Sequence, residues 1–376
     1  MRNKVAFIIH PLNVLDFRLK KFLYSPYEKQ IDWLLQKLSP VFVKNVFSSL
    51  PVHSFMEIKG FKSLKGSVVD ILGVMCPMFP DEIVRNKKKA YEKIKASVLH
   101  AIGKGANVIV LAGFTSILGN QGEEIREDIG KKREVVITSG NTLTSAICLK
   151  GIERAVKEFE FDIQSQTVAI VGATGDIGSV CAKILASKSK RIILSSRNLN
   201  VDNQLYNEIK NNLNRNVTIE NDVRLAVSNA DLVLVTTSSV FPLISFSDLK
   251  KNSIICDVSL PYNISKKDYE SQNSIFVFDG GKARVPNIAN LNSKKWIDFT
   301  NNFHSIPGCL LEGLILALEN MKEDFSLGRG NITQEKIDLI YRLAVEHGFD
   351  VSEFAFHERF YSKNEMFLFK ETLKER

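Results

Sequence analysis

The sequence has no apolar run that approaches the roughly 20 residues a membrane-spanning helix requires. Its first apolar stretch is short and ends at His10 and Pro11, which also argues against a secretory signal. We therefore expect a cytoplasmic protein without a transmembrane segment.

Paired cysteines and nucleic-acid-binding tracts are also lacking. The five cysteines are odd in number and show no short paired spacing, which argues against a zinc site and a disulfide framework, and we predict no metal. The run RNKKK at 85–89 has no interleaved aromatics and is typical of a solvated helix face, so we expect no nucleic-acid partner. The formal charge of +8 favours contact with an acidic molecule. The cysteines are Cys76, Cys148, Cys181, Cys256 and Cys309.

A length of 376 residues predicts more than one domain. Short apolar runs alternate with amphipathic stretches up to about residue 147, which predicts an α/β domain over 1–147, with one helix over 81–102 and another over 142–159. From residue 167 the pattern is strand, glycine turn, helix, strand, which predicts a Rossmann domain over 148–290. Helices follow in 291–376, and they end in an aromatic, charged tail whose role the sequence does not indicate.

The segment VAIVGATGDIGS at 168–179 predicts a dinucleotide-binding loop. Its three glycines lie between an apolar strand and a helix, where the backbone must approach a pyrophosphate closely and the helix N-terminus can face the phosphates. A purely structural turn is the alternative. The predicted contacts here are Gly172, Ala173, Thr174, Gly175, Asp176, Ile177 and Gly178.

The end of the next strand predicts NADPH rather than NADH. Where an acidic residue would bind the ribose hydroxyls of NAD, the sequence has Ser195, Ser196 and Arg197. A guanidinium and hydroxyls can hold a 2′-phosphate, although an arginine exposed in a turn is the alternative. Thr236, Thr237 and Ser238 end a later strand and are expected to face the nicotinamide, or else to cap that strand.

Four segments together resemble the long-chain acyl-[acyl carrier protein] reductases of cyanobacteria, over about Gly66 to Phe349. This resemblance implies NADPH-dependent reduction of a long-chain acyl thioester, delivered by acyl carrier protein or coenzyme A, to a fatty aldehyde through an acyl–cysteine intermediate. It also implies an aldehyde-consuming enzyme as a candidate partner. The segments are GFTSI at 113–117, SGNTLTSAIC at 139–148, VAIVGATGDIGS at 168–179 and FSLGRGNIT at 325–333.

The resemblance assigns the nucleophile to Cys309, in the C-x-x-E context of GCLLEG. Cys309 follows Pro307 and Gly308 at a predicted helix start, where a thiol can be activated, although cysteines are more often buried core residues. Glu312 lies one turn later and either orients substrate or bonds neighbouring donors. His304 is a candidate base or cation. Thr115, Ser116, Asn141 and Thr142 are candidate donors to the thioester carbonyl, with loop capping as the alternative.

The expected architecture is α/β: an N-terminal substrate domain and an NADP-binding Rossmann domain, with C-terminal helices that return to the cleft and carry Cys309. Shikimate dehydrogenase has the same domain order, so an NADP-dependent oxidoreductase of a small hydroxy or keto substrate is the second hypothesis. The first domain shows no convincing Lys-plus-Asp pair for that chemistry. A non-catalytic NADP-binding protein is the third hypothesis.

Overall fold

A computed structural model of the chain describes residues 2–12, 37–130, 134–213, 215–264, 274–286, 305–357 and 359–374. The chain divides into two compact units. Unit 1 comprises Met1–Leu143, Val285–Asn331 and Leu339–Phe349, and unit 2 comprises Thr144–Arg284, Ile332–Asp338 and Asp350–Arg376. Sequence patterning predicted boundaries after residues 147 and 290 instead. The C-terminal segment after residue 290 is shared between the two units.

The helices and strands are numbered along the chain, over the described residues. The helices are α1 Pro40–Ser49, α2 Pro80–Arg85, α3 Lys87–Gly103, α4 Gly119–Ile129, α5 Asn141–Glu158, α6 Asp176–Ala186, α7 Gln204–Asn207, α8 Val223–Ser228, α9 Gly308–Leu318, α10 Gln334–Glu346 and α11 Lys363–Lys374. The strands are β1 Lys4–Ile9, β2 His53–Lys62, β3 Val68–Met75, β4 Val108–Leu111, β5 Val136–Thr138, β6 Thr167–Val171, β7 Arg191–Ser195, β8 Val217–Ile219, β9 Leu232–Val235, β10 Ile254–Asp257, β11 Phe276–Asp279, β12 Lys282–Arg284, β13 Ser305–Pro307, β14 Asp350–Val351, β15 Ala355–Phe356 and β16 Arg359–Phe360. Within the described ranges, none of the helices combines the length and the apolarity that crossing a bilayer requires.

Unit 1 is built on a five-stranded sheet with the order β2-β3-β1-β4-β5. Strands β3, β1, β4 and β5 are parallel, and β2 pairs antiparallel with β3 at the edge. The parallel strands are mostly apolar because both of their faces are largely buried, although β3 includes the partly buried Asp70. Helix α9 packs on β1 and β4. A Cβ on Gly313 would overlap Val110 Cγ2, so the glycine permits this close approach.

One continuous helix was predicted over 81–102, and this prediction was wrong because the segment forms two helices, α2 and α3. Asn86 has a non-helical backbone (φ −120°, ψ 71°) between α2 and α3, and its side chain accepts a hydrogen bond from the Lys89 N–H. Asparagine competes with the helical backbone in this way, which makes it a good N-cap and a weak interior residue. The apolar spacing alone did not reveal the break.

Unit 2 contains a six-stranded parallel sheet with the order β11-β10-β9-β6-β7-β8. Starting from β8, this is the 3-2-1-4-5-6 order of the dinucleotide-binding Rossmann fold. The predicted α/β class with a Rossmann sheet is therefore confirmed. The core of the sheet is aliphatic, and many of its side chains, such as Val233 and Ile255, are fully buried.

The aromatic tail, which the sequence left without a role, packs on edge strand β11 of unit 2. Phe276 of β11 lies 5.3 Å from Phe354, 4.4 Å from Tyr361 and 5.3 Å from Phe369, between ring centroids. The Tyr361 hydroxyl also donates to the Val277 carbonyl at 2.6 Å. The tail thus covers a sheet edge that would otherwise present unpaired backbone groups and apolar surface.

Candidate active site

The carboxyl edge of the unit 1 sheet collects four of the chain segments that form the candidate site. Parallel strands end on the same edge, so the residues that follow β1, β3, β4 and β5 come together there. His10 follows β1, the 3-10 turn Gly113–Ser116 follows β4, and Ser139 and Gly140 follow β5. Helix α9 begins at this edge, with Cys309 as its second residue.

Cys309 lies directly against Gly140. A Cβ on Gly140 would be 2.5 Å from Cys309 Cβ and closer still to its Cα and carbonyl oxygen. Gly140 also has φ +75°, a conformation that L side chains rarely adopt. Only glycine satisfies both conditions, which explains this residue of the SGNT segment.

The backbone N–H groups of Gly113, Leu310 and Cys309 itself each act to lower the pKa of the Cys309 thiol. Burial outweighs them and raises the pKa of Cys309 to about 11, with a smaller contribution from the negative charge of Glu312. The residue nevertheless keeps partial exposure. In the unliganded protein the thiol is therefore protonated at neutral pH, in a setting whose N–H donors would stabilise a developing negative charge.

His10 holds the 3-10 turn that touches the thiol, a role that sequence reasoning missed. Its Nε2 accepts from the Phe114 N–H at 3.0 Å, and its Nδ1 lies 3.0 Å from the Pro11 carbonyl oxygen. This pattern assigns the neutral imidazole with the proton on Nδ1. Burial lowers the pKa of His10 to about 4, so it stays neutral at physiological pH. Its position directly after a buried strand was the available signal.

Glu312 is fully buried and bonds neighbouring donors, as one of the two readings of this residue anticipated. Its carboxylate accepts from the Leu143 N–H at 2.7 Å, from Ser326 Oγ at 2.6 Å and from Thr138 Oγ1. Burial raises the pKa of Glu312, and these donors oppose the rise. The carboxylate therefore joins the end of β5, the start of α5 and the 325–331 segment behind Cys309.

Ser326 is the second residue that sequence reasoning missed. Its Oγ accepts from the Thr142 N–H at 3.0 Å and lies 2.5 Å from Thr142 Oγ1, while its carbonyl accepts from Ser139 Oγ at 2.5 Å. Two of the segments on which the family resemblance depends, SGNT and FSLG, meet the cysteine–glutamate pair here. The FSLGRGN motif itself was the signal, since its serine is the residue that connects the other two.

The remaining candidates of unit 1 are not free donors. Thr115 Oγ1 donates to the Ala112 carbonyl at 2.9 Å, and Ser116 Oγ donates to the Gly113 carbonyl at 2.8 Å. Both hydroxyls thus cap the turn beside Cys309, in keeping with the loop-capping alternative. Asn141 is partly exposed and begins α5. His304 lies outside the described residues.

In unit 2 the glycine loop joins β6 to α6 with the tight geometry that the sequence predicted. Gly172 has φ +85°, and a Cβ there would lie 2.9 Å from the Thr236 carbonyl carbon and the Thr237 nitrogen. A Cβ on Gly178 would lie 2.8 Å from Thr236 Oγ1 and closer to the Gly172 carbonyl oxygen. Gly175 caps α6, whose first turn offers backbone N–H groups. Asp176 and Ile177 form that turn and are partly exposed.

The predicted ribose-side residues divide into two groups. Ser195 and Ala173 are fully buried, and the Ser195 carbonyl accepts from the N–H groups of Gly172 and Ala173 at 2.8 and 3.1 Å. Ser195 and Ala173 therefore stabilise the backbone of the glycine loop. Thr174 Oγ1 lies 2.7 Å from Ser196 Oγ, and Arg197 is exposed beside them.

The structure therefore brings two hydroxyls to the loop tip, with an exposed arginine beside them. These residues fit the adenosine 2′-phosphate of NADPH.

The third predicted cofactor segment follows β9, next to β6 in the sheet. Thr236 Oγ1 donates to the Val171 carbonyl at 3.1 Å, so this hydroxyl ties the end of β9 to the start of the glycine loop. Thr237 and Ser238 keep exposed surface. Strand-end capping accounts for the Thr236 side chain, whereas the next two residues remain predicted cofactor contacts.

Comparison with known proteins matches part of the chain to one family and finds similar sequences, two of which are described here. Residues 153–279 match the Shikimate / quinate 5-dehydrogenase family. A long-chain acyl-[acyl-carrier-protein] reductase of Synechococcus elongatus is 28% identical over 315 residues, which cover 81% of this chain and 88% of that protein. An aminotransferase of a Serratia species, PigE, is 27% identical over 351 residues, which cover 92% of this chain but only 39% of that protein.

Two solved structures show a weaker likeness. L-tryptophan dehydrogenase of Nostoc punctiforme has a TM-score of 0.38 at 14% identity and covers 100% of this chain and 89% of that one. NAD-dependent malic enzyme of Thermotoga maritima has a TM-score of 0.39 at 15% identity, covering 92% and 84%.

The matched dehydrogenase family spans β6 to β11 of unit 2, which carry the glycine loop and the strand order of a dinucleotide-binding sheet. The chain is a divergent NAD(P)-dependent oxidoreductase. NADPH is consistent with the relatives and with the loop. When bound, it would be held by the N-terminal turn of α6, Thr174, Ser196 and Arg197.

Proposed function

We propose that the protein reduces a long-chain acyl thioester, carried by acyl carrier protein or coenzyme A, to a fatty aldehyde through an acyl group on Cys309. The observation that carries the proposal is the placement of Cys309 in the first turn of α9, packed against Gly140 at the carboxyl edge of the unit 1 sheet. The similarity to the Synechococcus reductase supports it, since that alignment spans most of both chains.

In this proposal the Cys309 thiol loses its proton as the donor binds, and its sulfur attacks the acyl carbonyl carbon. The carrier thiolate leaves and takes up a proton, so an acyl–Cys309 thioester remains. The N–H groups of Gly113 and Leu310 stabilise negative charge on the sulfur or on the carbonyl oxygen. Glu312 keeps the neighbouring segments in place and takes no part in bond making.

NADPH, when bound, supplies the hydride that reduces the acyl carbon. The resulting alkoxide gains a proton, and the carbon–sulfur bond to Cys309 then breaks. Aldehyde is released and the thiol is restored.

The test is intact-protein mass spectrometry after incubation with a palmitoyl-carrier protein in the absence of NADPH. We expect a mass gain of one acyl group that Cys309→Ser abolishes and that added NADPH discharges with aldehyde release. Cys76→Ser is the matched control, because Cys76 is a buried thiol of the same unit whose pKa burial also raises to about 11. An adduct that persists in Cys309→Ser would refute the assignment of the nucleophile.

A second candidate function is reduction of a small hydroxy or keto substrate, as in shikimate dehydrogenase. The family match supports it, since residues 153–279 match the Shikimate / quinate 5-dehydrogenase family. Direct hydride transfer needs no covalent intermediate. NADPH oxidation with a small ketone that is insensitive to Cys309→Ser, together with no acyl adduct, would support this second function.

A further inference from the structure

Four cations project from the junction of α2 and α3 in unit 1. Arg85, Lys87, Lys88 and Lys89, here called the basic rim, are all exposed. Arg85 is 79% exposed and only 3.8 Å from Asp81, while no ion pair of the three lysines is found within the described ranges. Over the described residues, the rim is therefore a local excess of positive charge in which three of the four cations have no ion pair.

The two acidic residues of α2 have partners outside the rim, and Asp128 of α4, which packs on α3, pairs with Lys95. Asp81 binds Lys44 of α1 at 2.8 Å, and Glu82 accepts from Ser48 Oγ at 2.5 Å and from the Phe79 N–H. Glu92 is exposed one turn further along α3 and is the acidic side chain nearest in sequence to the lysines. Within the described ranges, the 3.8 Å approach of Arg85 to Asp81 is the ion pair that the rim forms.

The location of the lysines opposes local helix stability. Lys87, Lys88 and Lys89 form the first turn of α3, which contains no acidic residue. Cations are unfavourable at a helix N-terminus because the helix dipole is positive there. Helix formation therefore does not explain these lysines, and an anionic partner would relieve the repulsion.

The rim lies near the thiol. Helix α2 packs against the 3-10 turn Gly113–Ser116, and the backbone of Gly113 in this turn acts to lower the pKa of the Cys309 thiol. Helix α2 has six residues, so it spans about 9 Å. A partner bound at the rim would be one short helix away from the turn that touches Cys309.

We propose that the basic rim is the docking surface for an acidic carrier domain that delivers the acyl thioester to Cys309. This inference rests on the proposed function and specifies its donor. The adjoining face of α1 adds exposed apolar surface at Val41 and Phe42, which are 67% and 51% exposed. Apolar contacts beside complementary charge are the usual composition of a protein interface.

The test compares two acyl donors in a single-turnover assay of Cys309 acylation without NADPH, read by intact mass. One donor is palmitoyl-carrier protein, and the other is palmitoyl-pantetheine, which has the same thioester arm but no acidic domain. The variant is Lys87→Glu/Lys88→Glu/Lys89→Glu. The matched control is Lys59→Glu/Lys62→Glu/Lys104→Glu, which makes the same charge change at exposed lysines of unit 1 away from the rim.

We expect the rim variant to slow acylation from the carrier protein at least tenfold at low salt and to lose most of its dependence on ionic strength. Acylation from palmitoyl-pantetheine should be unchanged in all proteins, and the control variant should be within twofold of wild type. If the rim variant slowed acylation of Cys309 equally from both donors, or from neither, the docking proposal would be overturned. So would rim-dependent binding to anionic lipid vesicles with an unaltered carrier rate, which would indicate a membrane contact instead.

Failure of the proposed function is distinguishable from these outcomes. In that case wild-type Cys309 would gain no acyl group from palmitoyl-pantetheine either, and the docking proposal would fall with it.

Discussion

Replacing Gly140 with alanine tests the packing that places Cys309. The added methyl would overlap the start of α9 and would sit on a backbone with φ +75°. The left-handed conformation costs an L residue about 1–2 kcal/mol. Overpacking adds about 1–3 kcal/mol. We therefore expect Gly140→Ala to lower the free energy of unfolding by roughly 2–5 kcal/mol.

Gly105→Ala is the matched control for this prediction. Gly105 belongs to the same unit and has φ +82°, but a Cβ there meets no atom within 4 Å. Its substitution should cost only the conformational part, about 1–2 kcal/mol. The difference between the two variants isolates the contact with Cys309.

Urea unfolding followed by circular dichroism measures the two variants, and hydrogen–deuterium exchange of residues 308–318 reports on α9 locally. Gly140→Ala should speed exchange across the first turn of α9, whereas Gly105→Ala should leave it unchanged. Equal losses of stability in the two variants, with equal protection of α9, would show that Gly140 does not constrain the cysteine.

Four further predictions concern the thiol and the cofactor loop. The rate of Cys309 alkylation by iodoacetamide should rise about tenfold per pH unit above neutrality and level off only near the thiol pKa of about 11, because only the thiolate reacts. A rate that levels off below pH 9 would contradict this prediction. Glu312→Gln should shift the pH profile of Cys309 alkylation to lower pH by removing a nearby negative charge. It should also lower the free energy of unfolding by about 1–3 kcal/mol, because an amide cannot accept from all of the donors that Glu312 binds. An unchanged profile and an unchanged stability would contradict the hydrogen-bond network around Glu312. Gly178→Ala should weaken NADPH binding about tenfold or more in a fluorescence titration, whereas Gly103→Ala, whose methyl meets open space, should not. Arg197→Ala should weaken the binding of NADPH but not the binding of NADH. Equal losses of affinity for the two cofactors would argue against a 2′-phosphate contact.

The sequence was most informative where its pattern is local. The strands of the Rossmann sheet, the glycine loop and the start of α9 at Gly308 followed from apolar runs and turn residues, since each depends on neighbours along the chain. The division at Asn86 escaped the same reasoning because the apolar spacing continues across it. A single capping hydrogen bond determines where α3 begins.

Long-range hydrogen bonds account for what the sequence did not reveal in the site. His10 and Phe114 are 104 positions apart, and Glu312 and Leu143 are 169 apart. No spacing rule relates such residues, and only the shared edge of the sheet brings them together. The family resemblance identified the segments SGNT and FSLG, but their connection through Ser326 required the structure.

The covered edge of the unit 2 sheet bears on how this chain can be shortened. A chain truncated near residue 350 would keep the cofactor loop, but it would lack Phe354, Tyr361 and Phe369, which cover β11. The bared strand would offer a row of backbone donors and acceptors to the same strand of another molecule. Loss of solubility in such a version would therefore report an unprotected strand rather than a missing catalytic group, and activity measured on it would underestimate the intact protein.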